Sequence, residues 1–176
     1  KEAVIEINTA EAFASVFSVT ATEIKESYAL TADIDLTGIT WADGNTSLKG
    51  KLYGNGHKIS NLTMTKTGDK YGGLFARING GMVRDLVLDN IHVTSNDRGG
   101  ILVGRVENTS SVIENIVITN SSITAANSNG VGGVIGLVSK ETRLSNISIM
   151  DSIVTASGVK NVGAVVGRVD GGELIA

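Results

Sequence analysis

One short pattern recurs four times and limits the architectures open to the chain. Gly72-Gly-Leu-Phe-Ala-Arg-Ile78 returns as Gly100-Ile-Leu-Val-Gly-Arg-Val106, Gly132-Gly-Val-Ile-Gly-Leu-Val138 and Gly163-Ala-Val-Val-Gly-Arg-Val169, at spacings of 28, 32 and 31 residues. A second register keeps step with the first. Leu86, Ile116 and Ile147 align, as do Leu88, Ile118 and Ile149, and Val93, Ile123 and Val154, all at spacings of 30 or 31. Self-similarity of this length marks a repeat protein, in which each unit buries its apolar face against the next.

Each unit holds three short alternating runs, such as Leu74 to Ile78, Val83 to Leu88 and Ile91 to Thr94, separated by Gly, Asn, Asp and Ser. A four-stranded propeller blade would need about 40 residues, and leucine-rich repeats would carry their Leu and Asn signature. Three strands in roughly 30 residues form one coil of a solenoid. The expected fold is all-β: a right-handed parallel β-helix whose stacked coils bury aliphatic ladders. Composition agrees, with 37 Ile and Val, 46 Asn, Ser and Thr, 22 Gly and no Pro or Cys among the 176 residues. Without Pro, tight turns fall to Gly and Asn, which tolerate positive φ.

The first segment departs from the repeat. Thr9 is placed to cap a short helix over Ala10 to Phe17, with Phe13, Val16 and Phe17 on one face. Residues 1–27 are therefore expected to form an N-terminal helical cap and residues 28–176 the repeats. A new repeat has just begun where the sequence stops, so further coils are expected beyond Ala176.

Charge and composition exclude several functions. The net charge of −3 comes from 18 acids and 15 bases with no like-signed block, so nucleic-acid binding is not expected. No apolar run is long enough for a membrane span, so membrane insertion is not expected either. Without Cys there are no disulfides, thiol nucleophiles or Cys-based metal sites.

The run Tyr28-Ala-Leu-Thr-Ala-Asp-Ile-Asp-Leu36, followed by Trp41 and Leu48-Lys-Gly-Lys-Leu-Tyr-Gly-Asn-Gly-His-Lys-Ile-Ser-Asn-Leu62, resembles the N-terminal non-catalytic region of the immunoglobulin A1 protease family. These are large cell-surface zinc metallopeptidases of streptococci and their relatives. The Gly72, Gly132 and Gly163 motifs are similar to GLUG repeats, which occur there and in other bacterial surface proteins and adhesins. The resemblance runs from about Tyr28 to the end, with Tyr53 where the family most often has Asp. It implies a β-helical segment of a secreted or cell-wall-attached bacterial protein that supports or positions a metallopeptidase. Its partners would be other domains of the parent protein and a host glycoprotein, such as immunoglobulin, or a glycan. A free-standing adhesin or glycan-binding module is the alternative.

The residues themselves offer little catalytic chemistry. A metallopeptidase centre needs two His at i, i+4 on a helix, whereas His57 and His92 stand 35 residues apart. His57 reads as a capping or packing residue of a Gly-rich turn rather than a metal ligand, and His92 as a solvent-facing strand residue. Asp33, Asp35 and Asp43 are the candidates for a carbohydrate-active β-helix enzyme, which needs clustered carboxylates. No Gly-x-Ser-x-Gly elbow or phosphate loop is present, and no cofactor or metal is expected. Asn61, Asp85, Asn115 and Asn146, each one residue before an aligned aliphatic, read as a polar turn ladder rather than a binding row. An ice-binding face would need Thr-x-Thr in every coil, and Thr63-Met-Thr65 has no such successor.

Alternation in the repeated strand gives the sharpest expectation. If Leu74, Ala76 and Ile78 point inward, then Phe75, Val103, Ile135 and Val166 form an outward apolar stripe beside Arg77, Arg105, Leu137 and Arg168. A contiguous exposed apolar patch marks an interaction surface, and Arg suits carboxylates and interfaces. The expected contact residues are Phe75, Arg77, Val103, Arg105, Ile135 and Arg168.

Overall fold

The computed structural model describes residues 1–20 and 22–176 and is a parallel β-solenoid with one short helix near its N-terminus. One sheet runs through Val4–Ile7, Ser27–Leu30, Lys51–Tyr53, Met82–Ser95, Ser111–Thr119, Thr142–Met150 and Leu174–Ile175, every pairing parallel. A second stacks Glu23–Ile24, Ser47–Leu48, Phe75–Ile78, Val103–Val106, Ile135–Val138 and Val166–Val169. The pairing of Ile5, Tyr28, Leu52, Val83, Ile113 and Leu144 in sequence gives coil lengths of 23, 24, 31, 30 and 31 residues. Stacking thus starts at Val4, and the early coils are shorter than the repeats that reveal the period.

Buried aliphatic ladders fill the interior. Ile34, Ile59, Leu88 and Ile118 form one, and Met64, Val93 and Ile123 another, all at most 3% exposed. Full burial of such a side chain is worth about 1.5–3 kcal/mol.

The chain turns its corners by placing Asn or Asp in the left-handed region, where short polar side chains cost least. Asp85, Asn115 and Asn146 have φ of 57°, 54° and 51°. Nδ2 of Asn115 donates to Asp85 at 2.8 Å, and Nδ2 of Asn146 to Asn115 at 2.8 Å. These three form the expected turn ladder. Asn61 belongs to the next corner instead, stacked with Asn90, Asn120 and Asp151, because Leu62 pairs with Ile91. The Gly54–His57 turn adds two residues to its coil and shifts the alignment.

Helix α1 (Ala10–Phe17) forms as the sequence predicts, with Ala12 N–H donating to Thr9 Oγ1 at 3.1 Å. Phe13 and Phe17 are buried. Phe17 makes edge contacts with Tyr28 and Phe75, both at 5.5 Å between ring centres, and Phe13 lies 6.1 Å from Trp41.

Candidate functional site

The outward apolar stripe is corrected by the structure. Phe75, Val103 and Ile135 do stack in register, but they are 4%, 0% and 0% exposed and belong to the core. The segment ahead of this strand in one coil lies against the glycine of the same strand in the next coil. A Cβ on Gly104 would stand 2.5 Å from Tyr71 Cβ, and one on Gly136 would stand 2.6 Å from Gly99 N. Gly104, Gly136 and Gly167 are thus small because a neighbouring segment passes over them. Apolar residues on both sides of the strand are buried, and simple alternation misplaces them.

The arginines are partly exposed but not free. Arg77 donates from Nε and Nη2 to Asn45 O at 3.0 and 2.7 Å, and from Nη1 to Glu107 at 3.0 Å. Arg105, one rung on, reaches the same Glu107 at 3.1 Å and Tyr71 Oη at 3.3 Å. The Glu107 side chain is only 8% exposed, so it neutralises two stacked guanidinium groups that would otherwise repel. Arg168 stands two rungs from Arg105 with Leu137 between, and pairs with Asp170 at 2.8 Å.

The candidate carboxylates cap loops. Asp33 accepts Lys58 N–H at 3.0 Å and His57 Nδ1 at 3.1 Å. Asp35 accepts Thr37 Oγ1, Asn61 Nδ2 and Thr37 N–H. Asp43 takes the Thr67 hydroxyl and Lys70 Nζ. These hydrogen bonds, led by Lys58 N–H, the Thr37 hydroxyl and the Thr67 hydroxyl respectively, hold all three carboxyls below the ordinary aspartate range. They favour carboxylate acceptors, not proton donors. Among the described residues no three His, Asp or Glu gather as a metal site.

His92 lies on the outer side of its strand, between the buried Ile91 and Val93, and is half-buried. Its Nε2 donates to Asn90 at 2.8 Å and its Nδ1 lies 2.7 Å from Ser122 Oγ. Since Asn90 donates to Asn61 and Asn61 to Asp35, a hydrogen-bonded chain crosses four coils and ends on the Asp35 carboxylate.

One exposed row of threonines was not expected from the sequence. Thr65, Thr94, Thr124 and Thr155 pair rung on rung and are all exposed. With Asn96 and Ser157 they line an open groove. Successive rungs lie about 4.8 Å apart, so the four threonines stand in line on one face. Lys66 underlies it, 4% exposed, with Nζ donating to Ala42 O at 2.7 Å and Gly44 O at 2.8 Å. Burial pulls its pKa down to about 8. A search for two Thr per coil overlooks this row. Its signal is one Thr directly after each aligned aliphatic: Met64, Val93, Ile123 and Val154.

Fold and surface together define a parallel β-solenoid repeat module with laddered outer faces. No family model matches the chain. Halomucin from Haloquadratum walsbyi is 35% identical over 132 residues, a match covering 66% of this chain and 1% of that protein. A solved structure described as a "putative immunoglobulin A1 protease" from Bacteroides ovatus shares the fold, with a TM-score of 0.57 and 18% identity over 96% of this chain and 66% of that one. The chain thus spans a very small part of the first relative and less than two thirds of the second.

Proposed function

We propose that this chain is a non-catalytic solenoid module of a secreted or cell-surface protein, one that supports or positions a larger assembly such as a metallopeptidase. The observation that carries this reading is the use of every candidate carboxylate as a loop cap within a continuous stack. The name of the Bacteroides protein and the mucin name of the Haloquadratum protein fit a surface setting, and no described helix is long and apolar enough to cross a membrane. GLUG-type repeats and cell-wall attachment are part of the same proposal, as is contact with other domains of the parent protein or with a host immunoglobulin.

The test is incubation of the purified chain with immunoglobulin A1 and a panel of polysaccharides, followed by product analysis. Intact substrates are expected. Turnover abolished by Asp33→Asn or Asp35→Asn would overturn the reading in favour of a carbohydrate-active enzyme.

A second reading, a glycan-binding adhesin module, is favoured by the Thr65–Thr94–Thr124–Thr155 groove. Thr hydroxyls match sugar hydroxyls and Thr methyls match the apolar sugar edge. Glycan-array binding that a Thr94→Lys, Thr124→Lys variant loses at least tenfold, and an Arg168→Glu variant keeps, would assign the groove. The reverse pattern would return the role to the arginine face.

A further inference from the structure

The sequence carries five Asn-x-Ser/Thr tripeptides, starting at Asn45, Asn61, Asn108, Asn120 and Asn146. In such a tripeptide the Asn carboxamide nitrogen can receive an oligosaccharide where the segment stands open at a protein surface. The fold sorts the five. Nδ2 of Asn61 donates to Asp35 at 3.0 Å, Nδ2 of Asn120 to Asp89 at 2.9 Å, and Nδ2 of Asn146 to Asn115 at 2.8 Å. All three reacting nitrogens are held inside corner ladders. Asn45 is half-buried: its Oδ1 accepts Tyr71 N–H at 2.8 Å, its backbone carbonyl is clamped by Arg77, and Ser47, the hydroxyl residue of its tripeptide, is 3% exposed.

Asn108 differs on each count. It lies in the turn between Val103–Val106 and Ser111–Thr119, with φ of 62°, and Asn108, Thr109 and Ser110 are all exposed. The side chains of Asn108 and Ser110 have no hydrogen-bond partner among the described residues. A bulky adduct there displaces no packed group.

We propose that Asn108 is an N-glycosylation site, the one tripeptide of the five that the folded chain leaves open. The co-substrate is a lipid-pyrophosphate-linked oligosaccharide. Nδ2 attacks the anomeric carbon and forms a C–N bond. The C–O bond to the pyrophosphate breaks, the lipid pyrophosphate leaves with the electron pair, and the nitrogen gives up one proton. The strand Ser111–Thr119 separates this turn from the Thr124 rung of the groove. At about 3.3 Å per residue, that places glycan and groove at different corners of the coil. In a cell the modification requires export of the chain and so rests on the surface-protein reading.

The test works on the folded chain in vitro, so that its failure is separate from failure of that reading. The chain is incubated with a single-subunit oligosaccharyltransferase and the lipid-linked donor, and glycopeptides are quantified by mass spectrometry. Synthetic peptides spanning each of the five tripeptides serve as unfolded references. The expected result is glycan on Asn108 at least tenfold above any other position in the folded chain, lost in Asn108→Gln and Ser110→Ala, while several of the peptides accept it. An unmodified folded chain, an Asn108 peptide that accepts no glycan, or equal occupancy at Asn61, Asn120 or Asn146 in the folded chain would overturn the proposal.

Discussion

The first and last coils of this chain are built from different side chains. All seven aromatic residues lie between Phe13 and Phe75, where helix α1, Trp41 and Tyr28 close one end of the apolar interior. Beyond Phe75 the interior is aliphatic only. The last coil presents Ile147, Ile149, Val154 and Val165, the same residue types that are fully buried one or two rungs earlier, in a half-buried state, while Ile153 and Val162 are 63% and 51% exposed. The contrast separates two demands. Stacking requires each rung to match the shape of the rungs above and below, which favours Ile, Val and Leu at constant register. Closure requires bulky groups that fill a cross-section once and need not repeat.

Deleting a ring at the closed end breaks this comparison most strongly. Phe13→Ala is expected to cost about 3–5 kcal/mol, typical of a fully buried aromatic. Ile149→Ala in the last coil should cost clearly less, because its site is already half open. Denaturant midpoints of the two variants check this, and equal losses would show that the closed end is not specially load-sensitive. Between the ends, Gly136→Ala is expected to cost about 1–3 kcal/mol through backbone overlap, although it adds a single methyl group. A neutral result in the same titration would remove the close-approach explanation for the repeat glycines.

The corner ladders give a finer comparison. Asn115→Ala loses both the left-handed preference and the amide bonds, and should cost about 2 kcal/mol. Asn115→Gly keeps the backbone freedom and should cost about 1 kcal/mol. Thermal melts that give the two variants equal losses would show that the side-chain bonds, not the turn, set the corner.

The smallest effect is one of pH. Lys66, with a folded pKa of about 8, lies below its unfolded value of about 10.4. Between these values the unfolded chain holds the extra proton, so stability rises with pH across that window. Asp33, Asp35, Asp43 and Asp89 act with the same sign at acid pH. Their folded pKa values are depressed, so their contribution is complete above about pH 4 and is lost as pH falls through the folded values. Melting midpoints across pH 7–10.5 should rise for the parent chain and lose that slope in Lys66→Met.

The coil period and the short helix were legible in the sequence because inward rungs must be aliphatic in every coil and because Thr9 and the Phe13/Phe17 spacing mark a helix locally. The orientation of Phe75, Val103 and Ile135 was not. A strand covered on both sides gives a continuous apolar run, and such a run has no polar phase to orient it. The Arg77 and Arg105 positions were correctly paired by register, but their neutralisation by Glu107 depends on a side chain reaching across rungs, which spacing alone does not encode. The threonine groove was present in the sequence as a single residue per coil, a weaker pattern than the two per coil that was sought.

The aromatic cap also bears on the order of folding. In a stack where each coil touches only its neighbours, structure can spread from any starting point, but this chain offers one end already closed by a helix and four ring contacts. That end leaves the ribosome before the repeats that lean on it. Each later coil then meets a finished template edge as it is made, so the direction of synthesis and the direction of stacking coincide. Pulse-labelled amide exchange should show protection appearing at Ser27–Leu30 before Thr142–Met150.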